Sequence, residues 1–428
     1  MATVDRDENW NFSTLLGQSI FTSLTYRLTS PKLVLPFLYT ALGAPVVFAG
    51  LLLPMVQISR LISQLASAPI ISGAGLRKFY VALGTVILAA ALGVAGLASN
   101  DPNAAWLAVL FLLVATIIGI AQGLSGIAYW DLFGRVVPSH RQSTLLFSKA
   151  AVAAVLAIFI ALGSQHFLSH EDALDEHLEL LWLGITVAVL SCVVVALVRE
   201  IPSDAAENEK VAKNGEAIGF RSELKKLRKQ ATVALDHTWF RRFNTVRMLF
   251  LSVQLAMPFY AVHAAGHHAH KHHSMSTFVI SSSIGIIAGS FIWHRIVERS
   301  LQVAMVLAAA IACAGGIVAI VMEAVPELRG VLLYGLTFLL LAFAAQGASN
   351  AGTLYLVRFT TKENRPNYLA VSNVLAGAVG VVVAFVFGVL SHLQGAVWPI
   401  CCIVAMNIVA AVYALRLDVS KLQTPAKT

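Results

Sequence analysis

AQGLSGIAYWDLFGRVVPSHRQSTLLFS (121–148) aligns without a gap on AQGASNAGTLYLVRFTTKENRPNYLAVS (345–372). The shared residues are Ala121, Gln122, Gly123, Ser125, Leu132, Arg141, Leu145 and Ser148. They fall on Ala345, Gln346, Gly347, Ser349, Leu356, Arg365, Leu369 and Ser372. Near the start of each half, LPFLYTALGA (35–44) aligns on MPFYAVHAAG (257–266) at nearly the same offset. Two matches at one offset, joining stretches that run in the same direction, describe a parallel internal repeat. In a chain that crosses a membrane, the axis of such a repeat lies along the membrane normal.

The rest of the chain reads as membrane. Of 428 residues, 58% are hydrophobic and 12% charged, about half the charge of a soluble domain. One water-soluble core cannot hide that much apolar surface, so lipid is the solvent for most of it. A helix needs about 20 apolar residues to cross the hydrocarbon layer. Spans are expected near 12–40, 45–71, 79–99, 104–131, 143–167, 178–199, 243–264, 275–296, 301–323, 329–358, 366–392 and 395–416. The first is expected to bend at Pro31 and Pro36, where backbone donors are lost. The fold class is thus an all-α membrane protein of twelve helices. Residues 1–199 form one six-helix bundle, 200–242 a cytoplasmic linker and 243–428 a second bundle.

Charge orients the spans. Arg77, Lys78, Arg135, Arg141, Arg295, Arg299, Arg358, Lys362 and Arg365 fall in one set of loops. The alternate set holds Lys271, Arg329 and the acids Asp101, Glu171, Asp172, Asp175, Glu176 and Glu327. Lys and Arg mark the cytoplasmic face, so both termini are expected there, in a bacterial inner membrane. The polar start, MATVDRDENW, does not read as a cleaved signal peptide. The net charge of +8 reports topology rather than a nucleic-acid partner. In the linker, FRSELKKLRKQATVAL (220–235) puts Phe220, Leu224 and Leu227 opposite Lys225, Lys226, Arg228 and Lys229. It reads either as a basic helix on the anionic leaflet or as a solvated connection. Cys192, Cys313, Cys401 and Cys402 sit in apolar segments without metal or CxxC spacing and read as packing.

The six-plus-six arrangement, the central loop and the parallel repeat resemble the major facilitator superfamily over nearly the whole chain. That resemblance implies a secondary transporter with the first, fourth, seventh and tenth helices around a central cavity. The family's loop Gly-x-x-x-Asp-Arg-x-Gly-Arg-Arg is worn. SAPIISGAGLRK (67–78) keeps Gly75, Arg77 and Lys78 but no acid, and GSFIWHRIVERS (289–300) keeps Gly289, Glu298 and Arg299. In the family the acid helps latch the two halves, so Glu298 and Arg299 become gating candidates. The runs NFSTLLGQSIFTSLTYRL (11–28) and LGAPVVFAGLLLPMVQISRL (42–61) are similar to the facilitator-type permeases of magnetosome membranes in magnetic bacteria. That narrower likeness implies an iron or anionic iron-chelate cargo for magnetite biomineralisation, and a vesicle lumen in place of the periplasm.

The candidate substrate residues follow. Tyr26, Arg27, Gln122, Gln254, Gln346 and Asn350 lie near mid-span on the helices that the resemblance places at the cavity. Gln122 and Gln346, at equivalent repeat positions, are expected to face each other, either gripping substrate or making interhelical hydrogen bonds of about 0.6 kcal/mol. Arg27 and Arg60 lie within apolar spans, where a charge costs at least about 2.5–3.5 kcal/mol. No acid sits at similar depth. An anionic substrate would supply the missing charge; pairing with backbone carbonyls or snorkelling is the alternative. Asp131, Arg135 and Lys149 form a second gating group, with Asp131–Lys149 as the expected ion pair. No intramembrane Asp, Glu or His relay stands out, so proton coupling is not expected.

Ten of the 13 histidines map to the outer side, six of them in HAAGHHAHKHHS (263–274). His263, His267, His268, His270, His272 and His273 are candidate metal ligands, because imidazole suits Fe, Zn, Cu and Ni. His170, Glu171 and their neighbours would add to them. The alternative is a polar, pH-sensitive loop. No nucleophile–base pair, phosphate loop or cofactor fingerprint appears, so neither an enzyme nor a bound cofactor is expected. The partners are a small-molecule or metal-chelate substrate and the lipid bilayer. An organic-anion permease and a non-transporting scaffold or sensor remain the other functional readings.

Overall fold

The computed structural model describes residues 2–72, 75–98, 103–167, 172–200, 231–360 and 365–416. Among them there is no strand. The helices are α1 (Ala2–Leu28), α2 (Val34–Ala41), α3 (Val46–Ala49), α4 (Leu52–Ser72), α5 (Lys78–Leu97), α6 (Ala104–Val136), α7 (Ser139–Phe167) and α8 (Ala173–Ala196). After the central loop come α9 (Thr238–Leu249), α10 (Leu251–His268), α11 (Ser274–Arg299), α12 (Leu301–Ala324), α13 (Val331–Phe359), α14 (Arg365–Gln394) and α15 (Val397–Leu415). Among the described residues, 11 helical stretches are long and apolar enough to cross a membrane. α1, followed by α2 after the break around Pro31, is not among these eleven stretches, and it packs on α7 and α8. Most of the expected basic helix lies outside the described residues; its last residues, 231–235, are helical.

α5 shows why these sequences pack as they do. Its buried residues are Val81, Gly84, Thr85, Leu88, Ala91, Leu92, Ala95 and Gly96, a stripe of 3–4 residue spacing built mostly from small side chains. Phe79, Leu83, Val86, Val94 and Leu97 lie exposed on the opposite side, as a lipid-facing surface requires. α12 repeats the scheme, burying Ala304, Ala308, Ala309, Ala312, Gly315 and Ala319 while exposing Val303, Leu307, Ile317 and Val321. Lipid offers no hydrophobic gain for helix association, so small residues that let backbones approach carry the packing. Caps fix the starts: Asn103 Oδ1 accepts from the backbone N–H of Ala105 and Trp106, both at 3.2 Å, and Ser300 Oγ accepts from Val303 at 3.3 Å. α6 stops just before Pro138, which has no N–H to continue it.

The chain divides into two compact units, Met1–Ala44 with Leu52–Leu224, and Pro45–Leu51 with Lys225–Thr428. Each follows one plan. In the first, α4 and α5 pack on α6, α5 on α8, and α1 on α7 and α8. In the second, α11 and α12 pack on α13, α12 on α15, and the α9–α10 pair on α14 and α15. This helix-for-helix correspondence is the three-dimensional form of the sequence repeat. Pro45–Leu51 belongs with the second unit: the carbonyl oxygen of Val47 lies directly over Gly388 of α14, where a Cβ would collide with it.

The tightest helix contact of the first unit is α4 on α6. Gly119 and Gly123 of α6 face Ser59, Ser63 and the backbone of Val56 and Arg60, and Ser63 Oγ donates to the Ile120 carbonyl at 2.8 Å. The counterpart contact in the second unit puts Gly285 of α11 against the Leu339 carbonyl and Gly347 of α13 against the Trp293 ring.

Candidate functional sites

Each unit holds its own cavity, and the repeat relates them. The first encloses about 290 Å³. The α4–α6 contact sets Arg60 and Gln64 on one wall; Gln122, Ser125 and Tyr129 of α6 continue it, α1 adds Gln18, Thr22 and Tyr26, and α7 adds Lys149. Four residues expected from the sequence, Tyr26, Arg60, Gln122 and Lys149, therefore share one cavity. Arg60 is exposed to it and makes no ion pair among the described residues. Lys149 Nζ lies 4.9 Å from the Tyr129 ring centroid and 5.7 Å from that of Trp130, a cation–π setting. Among the described residues, no carboxylate lines the space. Hydroxyls and amides brace its wall: Ser19 Oγ and Tyr129 Oη are 2.8 Å apart, and Gln18 Nε2 donates to Thr22 Oγ1 at 2.9 Å.

The second cavity encloses about 320 Å³ between α9, α10, α13 and α14. Ser349 and Thr353 line it at positions equivalent to Ser125 and Tyr129, and Asn373 stands where Lys149 stands in the first unit. Its positive charge comes from Arg247, which sequence reading missed. Arg247 donates to Ser372 Oγ and Asn373 Oδ1, each at 2.6 Å, and Ser372 Oγ donates to Asn244 Oδ1 at 2.7 Å. Gln254 lines this cavity. Gln346 instead donates to Ser290 Oγ at 2.9 Å, while Asn350 is exposed on α13; neither is among the residues lining these two cavities.

Two expectations need correcting. Arg27 does not line the cavity. Its Nη2 donates to the Ala150 carbonyl at 3.2 Å, clamping α1 to α7, which is the backbone-carbonyl alternative. Asp131 does not pair with Lys149. Its Oδ2 accepts from Nε of the buried Arg77 at 2.8 Å and its Oδ1 from Arg135 at 3.3 Å. Glu200 accepts the backbone N–H of Arg77 and Lys78 at 2.8 and 3.0 Å, so the worn loop of the first half draws its acids from α6 and from beyond α8. The repeat equivalent of Asp131 is Tyr355, stacked on Phe243 at 5.2 Å and on Phe359 at 4.6 Å. The second unit thus replaces an ionic cluster with an aromatic one. Glu298 pairs with His294 at 3.3 Å on an exposed face, and Arg299 is exposed beside it.

The histidines separate into two groups. His263 and His267, one turn apart on α10, meet Glu323 from the last turn of α12. Arg329 reaches the same carboxylate at 3.3 Å. His268 is fully buried, its ring 4.8 Å from that of Tyr334, and joins no metal-type cluster among the described residues. His270, His272 and His273 are exposed around the turn before α11, with His273 in the left-handed region at φ 60°. His170 and Glu171 fall outside the described residues. His263 and Glu323 lie near the ends of the apolar stretches Thr238–His268 and Leu301–Ala324. Glu323 escaped notice because it ends a long apolar run.

No family model matches the chain. An uncharacterized protein of Mycobacterium tuberculosis, Rv2209, is 27% identical over 408 residues, spanning 95% of this chain and 76% of the relative. A counterpart in Mycobacterium bovis matches equally. Solved structures share the fold. The xylose transporter XylE from E. coli, inward open, superposes with a TM-score of 0.67 at 14% identity, covering 97% of each chain. A POT family transporter in complex with a thioalcohol-conjugated peptide gives 0.68 at 14%, covering 96% of each. The nucleoside transporter NupG gives 0.62 at 13%, covering 94% of this chain and 98% of that one. These three structures are of transporters, none of an enzyme, and the likeness is one of fold: the chain has the two-unit facilitator architecture.

Proposed function

We propose that the chain is a secondary transporter of small anionic solutes in a bacterial inner membrane, with both termini cytoplasmic. The observation that carries this reading is the first cavity, where Arg60 and Lys149 bring two positive charges and no carboxylate stands among the described lining residues. An unpaired charge in a membrane protein is costly unless water or a ligand solvates it. A guanidinium also matches carboxylate and phosphate oxygens in bidentate geometry. Gln18, Gln64 and Gln122 supply neutral hydrogen-bonding groups around the two cations. A free metal cation would meet repulsion there. Arg247 gives the second cavity the same sign. The alternation of Lys and Arg between loops supports the orientation.

An anionic ferric chelate belongs to this solute class, and the narrower likeness to the magnetosome permease MamH favours it. A plain organic acid has the same charge chemistry. Purified protein in proteoliposomes, offered citrate, ferric citrate, ferrous ion and xylose in parallel, separates these. Anion uptake should exceed that of ferrous ion and xylose. Arg60→Gln should lower it about 10–100-fold, the equivalent of a charged hydrogen bond worth about 1.5–3 kcal/mol, and Arg60→Lys should retain part of it. Preferred uptake of xylose or ferrous ion, or wild-type anion flux in Arg60→Gln, removes the proposal. Absence of any flux favours a scaffold or sensor.

A further inference from the structure

We infer that His263, His267 and Glu323 form a binding site for a divalent transition metal, one that ties the end of α10 to the end of α12. The site stands apart from both cavities and does not depend on the solute proposal. His263 and His267 are four residues apart on α10 and present their rings on one face, the centroids 5.2 Å apart. The three donor atoms lie within 4.8 Å of one another. His263 Nε2 is 3.3 Å and His267 Nε2 3.1 Å from Glu323 Oε2. Ligands about 2.0–2.1 Å from a tetrahedral ion sit about 3.3 Å apart, so two of the three separations already have the value that a bound ion imposes. His267 is the more exposed ring, at 26% against 3% for His263, and a small movement of it brings in the third ligand.

Two observations point to a ligand rather than to an ion pair alone. His263 Nε2 is buried and, apart from its 3.3 Å approach to Glu323 Oε2, has no hydrogen-bond partner among the described residues. The other ring nitrogen, Nδ1, is 2.8 Å from the Tyr334 hydroxyl. A metal-binding imidazole is typically fixed through its other nitrogen by an outer hydrogen bond. With Nδ1–H donating to Tyr334, the Nε2 lone pair faces the carboxylate across the gap. Arg329 shares Glu323 Oε2, but its side chain is held independently: Nε donates to the Met322 carbonyl at 3.0 Å and Nη2 to the Glu323 carbonyl at 2.8 Å. The guanidinium therefore stays at the C-terminal end of α12, where helix carbonyls favour positive charge, when a metal takes the carboxylate. Two imidazoles and one carboxylate suit Zn²⁺, Fe²⁺ or Co²⁺ and leave a coordination position for water. His268 and the exposed His270, His272 and His273 are not ligands.

The test uses the full-length, tag-free chain in detergent, stripped with chelator and titrated with Zn²⁺ by calorimetry and with Co²⁺ by visible absorption. One Zn²⁺ per chain, a rise in melting temperature, and Co²⁺ bands of a four- or five-coordinate site are expected. Glu323→Gln and His267→Gln should each weaken Zn²⁺ binding at least tenfold, and the triple change His270→Gln, His272→Gln, His273→Gln should leave it unchanged. If Glu323→Gln does not fold, His267→Gln, altering a partly exposed ring, decides. No saturable binding at micromolar Zn²⁺, or binding lost in the triple variant and kept in His267→Gln, overturns the inference.

Discussion

Replacing Gly123 with alanine would drive a methyl group into the backbone of the helix that presents Arg60. The added Cβ would sit 2.6 Å from the Arg60 carbonyl oxygen and 2.6 Å from Ser63 Cβ. Non-bonded atoms settle at about 3.5–4.0 Å, so α4 and α6 must separate by roughly 1 Å. Overpacking of this kind costs about 1–3 kcal/mol. The strain has little room to relax, because Ser63 Oγ also bonds across the same contact to Ile120. Misplacing a binding group by about 1 Å can cost a factor on the order of 100 in an aligned site, so anion flux should fall more than stability does. Gly134→Ala, on the same helix with nothing within 4 Å of the added Cβ, is the matched control; replacing a helical glycine there should be neutral or stabilising by up to about 1 kcal/mol. Thermal unfolding in detergent and flux in proteoliposomes read the two effects separately. Wild-type melting and flux in Gly123→Ala would refute the argument that this close approach positions Arg60.

Asp131→Asn removes the carboxylate that pairs with the buried Arg77. Because Asp131 is itself 35% exposed, the loss should be about 2 kcal/mol, below the 3–5 kcal/mol of a fully buried pair, whereas Arg135→Gln on the exposed side should cost under about 1 kcal/mol; equal melting shifts would contradict this. Gly347→Ala drives a Cβ into the Trp293 ring, which is fixed by its Nε1–H to the Phe343 carbonyl at 2.7 Å. A loss of about 1–3 kcal/mol is expected, while Gly352→Ala, with open space around it, should melt like the parent.

What sequence reading recovered was local or periodic. The apolar runs and the repeat need no long-range information, and Arg60 stood out because a charge in an apolar run is expensive wherever the chain then goes. Pairings across the sequence were harder. Asp131 was matched to the nearby Lys149, but its partner Arg77 lies 54 residues away. Glu323 is 56 residues from His267, and nothing in its own neighbourhood marks it as a histidine partner. Arg247 follows Arg241 and Arg242 closely, and nothing in that run of the sequence marks it apart from them. One legible signal was passed over: Gly119/Gly123 and Gly285/Gly289 each have the small-xxx-small spacing of close helix contacts, and both pairs lie at the helix contacts that frame the units.

The membership of Pro45–Leu51 in the second unit bears on how the protein is made. The ribosome delivers these seven residues, with Val47 destined for Gly388, long before α14 exists. Domains of multi-domain chains generally form as units in the order of synthesis. Here the later unit includes seven residues synthesised within the earlier one, so a gene cut within the central loop yields a carboxyl-terminal product missing part of its own wall.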